Sequence, residues 1–444
     1  MRRIVLGVLG LGNVGAGCLR LLDDNRAAIE ARLGATVEVR RVLVRDLERE
    51  RDVEVAPELL TTDAAAILRD PEIDVIVELI GGIEPARAYI LEALAAGKHV
   101  VTANKAVLAE RGAEIFAAAD AGGLGVFFEG SVAGGIPLLR SLREGLASDR
   151  IDGLAGIVNG TANFILDAMT RRGLAYADAL RMAQEAGYAE ADPTLDVSGG
   201  DAAHKLALLA LVAFGRRVDP ATIPTEGIED ITALDIRAAD DLGYVIKSLA
   251  LGDRGPSDDG DGDPRLRVHP VLVPKGHVLA GVHGPYNACL VRSQGLGRSL
   301  YYGRGAGMMP TGVAVLSDII EVARLILATP EGGALPPAAR VQARAAAAAS
   351  VADLRHENYL CVLAPNRPGV LGRVAACLGA HNVSIKYMHQ DEPQGADLVP
   401  LIMLTEPARE ADVAAALAEL RASPELPRPP RRLRVLAAEA SDDA

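Results

Sequence analysis

Residues 10–15 read Gly-Leu-Gly-Asn-Val-Gly, set between a short apolar run, Arg3–Leu9, and a segment with helical spacing through Val14, Leu19, Leu22 and Ile29. No other stretch constrains the fold as strongly. Gly10 permits the tight turn, Gly12 lets a pyrophosphate approach the backbone, and Gly15 lets the helix pack close to the strand. Asn13 and Val14 open the helix, so its first amides face the phosphates. A structural glycine turn is the competing reading, and the strand before and helix after count against it. The expected fold is a Rossmann doubly wound parallel sheet that grips a nicotinamide dinucleotide.

The next hundred residues continue that pattern. Val37–Val44 alternates as a strand, Thr62 is placed to cap a short helix ending at Leu68, and Ile73–Leu79 is strongly β-prone. Pro85 opens a helix that Gly97 closes. His99–Thr102, a helix over Lys105–Ala121 and Val126–Phe128 complete a first domain, 1–130. A second region, 131–304, is α+β, with helical patterns at Tyr176–Ala186 and Asp201–Phe214 and its clearest strands at Arg267–Val273 and Ala288–Arg292. Pro310–Leu327 is helical, and 305–330 is expected to complete the first domain. An Ala/Arg-rich helix over Pro337–Ser350 is expected within a linker, 331–355. From Tyr359 the order strand, helix, strand, strand, helix, strand predicts a ferredoxin-like unit in 356–440, with Glu439–Ala444 as a frayed tail.

Composition excludes several classes. Only 3% of residues are aromatic and there is no Trp, so aliphatic side chains fill the interior, as α/β layers allow. A net charge of −13 argues against nucleic acid or an anionic membrane as partner. Arg2 and Arg3 before an apolar run mimic a signal peptide, yet glycines at 7, 10, 12, 15 and 17 make a poor membrane helix. No later apolar run reaches spanning length. Cys18, Cys289, Cys361 and Cys377 are scattered and read as reduced thiols of a soluble, cytoplasmic protein. The loop Arg254–Pro264 alternates Asp and Gly like a calcium loop, but without a terminal Glu or flanking helices it reads as a solvated loop.

The chemistry sits at strand ends and in one dense block. Arg45 follows the second strand where an acidic ribose-binding residue is usual, which favours NADP over NAD; Asp46 beside it offers the alternative. Thr102-Ala-Asn-Lys105 lies where the strand His99–Thr102 should end, and Glu129-Gly-Ser-Val-Ala-Gly-Gly-Ile-Pro137 exposes backbone groups to a ligand or ion, or forms a hinge. The block Gly187–Lys205 contains Glu190, Asp192, Asp196, Asp201 and Lys205. Asp201 and Lys205 are i and i+4 on one helix face. An exposed salt bridge would explain that pair, but the helix continues apolar all round through Phe214 and must be buried. A lysine kept at such a mouth can protonate an alkoxide formed by hydride addition, while carboxylates bind an ammonium.

With these stretches in view, the chain resembles the homoserine dehydrogenases across nearly its whole length. The resemblance rests on the GLGNVG turn, Glu78–Gly82, Gly97–Lys105, Gly130–Pro137, Val158–Thr161, Gly187–Lys205 and Tyr301–Gly307 with Pro310-Thr311. It implies reversible NAD(P)H-dependent reduction of L-aspartate 4-semialdehyde to L-homoserine. Lys205 is then the proton donor, Lys105 a second active-site lysine near nicotinamide and substrate, and Glu190, Asp196 and Asp201 bind the amino acid. Gly10, Gly12, Asn13, Val14, Gly15, Arg45, Thr102, Lys105 and Gly305 are the implied cofactor contacts. Glu129, Val132, Gly134 and Ile136 match positions holding a monovalent cation, Na⁺, largely through main-chain oxygens. The second region becomes a catalytic and dimerisation domain, and a homo-oligomer, dimer or tetramer, is expected. The C-terminal unit resembles an ACT domain, with Asn366–Gly372 as its first turn, which implies threonine as effector. Two rival classes remain: an aldehyde dehydrogenase using Cys289, and a non-catalytic amino acid sensor.

Overall fold

The computed structural model describes residues 2–256, 261–330, 332–390 and 398–437. Six parallel strands form the first sheet: β1 (Arg2–Leu9), β2 (Ala35–Leu43), β3 (Leu60–Thr61), β4 (Val75–Glu78), β5 (His99–Thr102) and β6 (Val126–Phe127). Their order is β3-β2-β1-β4-β5-β6, so the chain reverses direction across the sheet between β1 and β4. Ligands bind at that switch point, beyond the carboxyl ends of the strands. The central strands are apolar on both faces because helices cover both, and Leu6, Leu9, Val75, Ile76 and Val77 are fully buried. Thr62 does not cap the helix Ala65–Leu68: its N-cap is Ala64, and Asp63 Oδ1, just before it, accepts from the Ala65 amide.

Helix Met308–Ala328 returns to this sheet and crosses helix Asn13–Asp24. The crossing is glycine against glycine. A Cβ on Gly17 would lie 2.2 Å from the Met308 carbonyl, and one on Gly312 would lie 2.8 Å from the Gly17 backbone. Backbones this close leave no room for a side chain on either helix.

The second sheet is mixed and has nine strands, in the order 297–304, 286–293, 151–157, 244–255, 262–274, 431–435, 358–365, 398–405, 385–390. Sequence patterning found the strands at 267–273 and 288–292 but missed 151–157, 244–255 and 297–304. Helix Gly200–Phe214 packs against this sheet on one side and helix Lys105–Ala121 on the other, burying Leu206, Leu208, Leu209 and Leu211. The last four strands of the sheet, with helices Val370–Ala380 and Glu410–Ala422, form the ferredoxin-like βαββαβ unit. That unit joins the other five strands of the sheet through Val271 paired with Arg434 and Leu272 with Val435.

Two expectations need correction. Residues 337–350 are not an α-helix: they hold a single 3-10 turn, Pro337–Ala339, and a strand, Arg344–Ala346, that pairs in parallel with Arg216–Val218. Alanine favours helix, but the Arg216–Val218 edge offers unpaired backbone groups, and fourteen helical residues would span only about 21 Å. The loop Arg254–Pro264 is the end of a long hairpin and is anchored by charge, since Asp261 accepts from Arg216, Arg254 and Arg344. Its residues 257–260, like the tail Glu439–Ala444, lie outside the described residues.

Carboxylates both attach the ferredoxin-like unit, through Asp235 on helix Ala233–Asp241, and brace it internally, through Glu410 on its own helix Glu410–Ala422. Asp235 accepts from Tyr359 Oη (3.0 Å) and from Arg431 (2.9 Å). Glu410 accepts from both Arg432 nitrogens (2.8 and 2.7 Å) and from Arg434 (2.5 Å). Burial works against the charge on Glu410, but Arg434 and Arg432 outweigh it and bring its pKa down to about 2. A depressed carboxylate pKa adds stability above the unfolded value, about 4.3, which is lost as pH falls toward the folded one. Glu410→Gln should therefore cost on the order of 2–3 kcal/mol of stability at pH 7, read as a lower thermal midpoint. The gap between the two midpoints should narrow as pH falls from about 4.5 and close toward about pH 2; a pH-independent gap would refute the assignment.

Candidate active site

The glycine turn is built as its sequence requires. Gly10 has φ 101°, and a Cβ there would meet the Leu79 carbonyl at 2.8 Å. A Cβ on Gly15 would lie 2.5 Å from the Gly10 carbonyl, whereas around Gly12 the space is open. Helix Asn13–Asp24 has no side-chain cap at Gly12, so its first amides point outward, ready for an anion. Gly12 and Asn13 are exposed.

At the end of β5 the Asn104 side chain caps helix Lys105–Ala121 and donates to the Gly82 carbonyl at 2.7 Å. Thr102 is wholly buried. Its hydroxyl donates to Glu78 Oε2 (2.7 Å) and accepts from the Asn104 amide (2.9 Å), so the side chain shapes the turn instead of reaching outward. Glu78, which sequence reading left among matching stretches, is the fully buried hub of this turn; its other oxygen accepts from the Ile80 and Gly81 amides. Burial pushes its pKa up.

Lys105, the first residue of its helix, meets Asp201 across the seam between the two sheets, with Nζ 3.1 Å from Oδ1. The other oxygen of Asp201 accepts from Lys205 Nζ at 2.7 Å. Asp201 sits in the first turn of helix Gly200–Phe214, where the helix dipole favours negative charge. Burial opposes its ionisation, but Lys205 and Lys105 outweigh it and hold its carboxyl far below the usual range. Lys205 Nζ also donates to the Val158 carbonyl at 2.7 Å. Two of its three N–H donors are thus engaged, and one remains for a ligand.

Asn159 ties in a second carboxylate. Its Oδ1 caps helix Gly160–Arg172, while Nδ2 donates to Asp196 (2.7 Å) and Asp201 (2.8 Å). Burial raises the Asp196 pKa, with neighbouring Asp201 adding to the effect. Lys105, Lys205, Asp196 and Asp201 therefore converge. Glu190 does not join them: it is exposed, and its carboxylate has no hydrogen-bond or ion-pair partner among the described residues. Arg45 is likewise exposed and unpartnered among them.

The loop 129–136 lies behind this cluster. Glu129 is buried, and its carboxylate accepts from the Leu139 and Arg140 amides (2.9 and 2.8 Å). Ala133 and Gly134 both have left-handed backbone, with φ of 56° and 52°. Such a pair turns successive carbonyls away from ordinary partners. The buried carbonyls of Val132 and Gly134 accept no hydrogen bond among the described residues, whereas those of Glu129 and Ile136 accept from Val132 and Leu138. Buried oxygens without donors suit a hard cation. A Cβ on Gly134 would lie 2.4 Å from the Gly305 carbonyl, and one on Gly305 would overlap Asn287 at 2.1 Å. Asn287 donates to the same Val158 carbonyl that holds Lys205 (3.0 Å), so this glycine contact reaches the lysine pair.

Comparison with known proteins identifies the family. The model of the family described as homoserine dehydrogenase matches residues 137–320, its NAD-binding domain 10–129, and the ACT domain 359–425. Homoserine dehydrogenase of Synechocystis sp. is 42% identical over 98% of this chain and 99% of its own length; that of Bacillus subtilis is 38% identical over 95% of both. The crystal structure of a homoserine dehydrogenase from Thiobacillus denitrificans superposes with a TM-score of 0.89 at 43% identity, covering 98% of this chain and 99% of that one. That of S. aureus gives 0.75 at 29% identity, covering 99% and 100%. With its dinucleotide turn, its paired lysines and its full-length likeness to these proteins, the chain belongs to the homoserine dehydrogenase family of oxidoreductases and carries a C-terminal ACT domain.

Proposed function

We propose that the chain reduces L-aspartate 4-semialdehyde to L-homoserine, reversibly, with Lys205 as proton donor. The lysine–carboxylate–lysine cluster supports this reading best. A nicotinamide dinucleotide held at the Gly10–Gly15 turn would supply the hydride for the aldehyde carbon. The free N–H of Lys205 is the donor for the alkoxide oxygen, and the lysine regains its proton from solvent. Asp201, kept anionic by both lysines, holds the two ammonium groups in place and lowers the cost of gathering positive charge there. Lys105 orients the carbonyl or the carboxylate end of the substrate. Asp196 and Asp201 receive its ammonium, and Glu190, free on its loop, closes onto the same group.

The finer assignments follow the same reasoning. Gly10, Gly12, Asn13, Val14 and Gly15 receive the pyrophosphate, with Thr102 shaping and Gly305 flanking the nicotinamide end. Exposed Arg45 favours NADP, whose 2′-phosphate a guanidinium pairs with; NAD remains usable through Asp46. The buried, donorless carbonyls of Val132 and Gly134, with Glu129 and Ile136, suit Na⁺. Its role would be to fix the Gly134–Gly305–Asn287 contact behind Lys205. The ACT domain takes threonine as effector in a dimer or tetramer. The four cysteines are buried and form no disulfide among the described residues, which accords with a cytoplasmic location, and no helix among the described residues is long and apolar enough to cross a membrane.

Lys205→Ala should lower turnover by about 10²–10⁴-fold while the NADPH dissociation constant, read by fluorescence, stays unchanged. Near-normal turnover would sink the assignment. A thiohemiacetal route needs a reactive thiol, but burial pushes Cys18 and Cys289 up to about 12 and Cys377 up to about 11. Prolonged iodoacetamide treatment should leave turnover intact; activity lost in step with one alkylated cysteine would favour the thiol mechanism.

A further inference from the structure

The catalytic sheet has a second polar site on the face turned away from the lysines. Along its two central strands, Ala250, Leu266 and Val268 join the core around helix Gly200–Phe214. The alternate positions Leu251, Asp253, Arg267, His269 and Val271 point the other way. They floor a cavity of about 450 Å³, walled by Leu290 and Arg292 and, from the ACT side, by His356 and Arg434.

Charge and hydrogen-bond accounting in this cavity is incomplete. Asp253 accepts from Arg267 at 2.8 Å and lies 3.5 Å from Arg292, one carboxylate against two guanidinium groups. Gly153 makes room for that arrangement, since a Cβ there would lie 2.9 Å from Arg292 Nη2. Arg434 is already matched by Glu410 and Glu226. Arg267 is 8% exposed and His269 3% exposed, yet Arg267 Nε and His269 Nε2 have no partner among the described residues, nor has His356 Nε2. Buried donors and acceptors in native proteins are rarely left so. The Nδ1 of His269 faces the Pro270 carbonyl at 3.1 Å, which can only accept, so Nδ1 carries the proton. Burial, with Arg434 and Arg267 nearby, keeps the ring neutral. His269 Nε2 is therefore a buried acceptor without a donor, and Arg267 Nε, two residues away on the same strand face, is a buried donor without an acceptor. Leu251, Val271 and Leu290 supply apolar walls between them.

We infer that this cavity binds a small carboxylate that also bears a hydroxyl or amino donor. The carboxylate lies on Arg267 and Arg292, and the donor on His269 Nε2. The site abuts the strand 431–435, through which the ACT domain joins the catalytic sheet, so an occupant braces that joint.

L-Lactate and propionate differ only by the hydroxyl and make a discriminating pair of probes. In the full-length protein, lactate at about 20 mM should raise the thermal midpoint more than propionate, and should slow amide exchange in 431–435. Arg267→Gln should weaken lactate about tenfold or more; Arg292→Gln, at a more exposed position, serves if the first variant fails to fold. Lys105→Ala should leave the lactate response intact. Equal responses to the two acids would overturn the role given to His269. No response to either, or a response lost in Lys105→Ala and kept in the arginine variants, would overturn the site, leaving a water-filled cavity or an acid held at the lysines.

Discussion

A single buried carboxylate organises the molecule. Asp201 gives one oxygen to Lys105, on the dinucleotide-binding side, and the other to Lys205, on its own helix. Taking a carboxylate out of water costs several kcal/mol unless cations and hydrogen bonds replace its shell. Here two ammonium groups and Asn159 do so. The pairing that keeps Asp201 charged also fixes how the two sheets meet. Remove either lysine and the buried charge is left partly uncompensated.

Close backbone approaches then set the geometry around that ion cluster. Gly17 against Gly312 brings helix Met308–Ala328 down onto the dinucleotide turn, and the helix carries Asp318, which accepts from the Glu129 amide at 2.8 Å. Gly134 against Gly305 continues the contact to Asn287 and, through the Val158 carbonyl, to Lys205. The turn at 10–15, the loop 129–136 and Lys205 are thereby linked through glycine contacts that tolerate almost no displacement.

Much of this was legible in the sequence, for local reasons. The turn at 10–15 announces itself because its glycines answer to backbone geometry a few residues away, and helix Lys105–Ala121 appears with the expected ends. Asp201 and Lys205 share a face through helical periodicity alone. Hidden partners were those set by tertiary contact. Asn159 looks like an ordinary helix cap until Asp196 and Asp201 arrive from about 40 residues on. Glu78 reads as part of a β-prone run, and Asn287 falls just before the expected strand Ala288–Arg292. Strand 151–157 carries two glycines that weaken its pattern, and the alanine-rich stretch 337–350 reads as helix because nothing local reveals the strand edge at 216–218.

The central claim is that Asp201 couples the two lysines into one unit. A double-mutant cycle in kcat/KM between Lys105→Ala and Asp201→Asn tests it most directly, with NADPH affinity measured separately on each variant. Coupling predicts that the double variant loses little more than the worse single variant, with NADPH affinity preserved throughout. Losses that simply multiply would contradict it and leave the two residues acting independently.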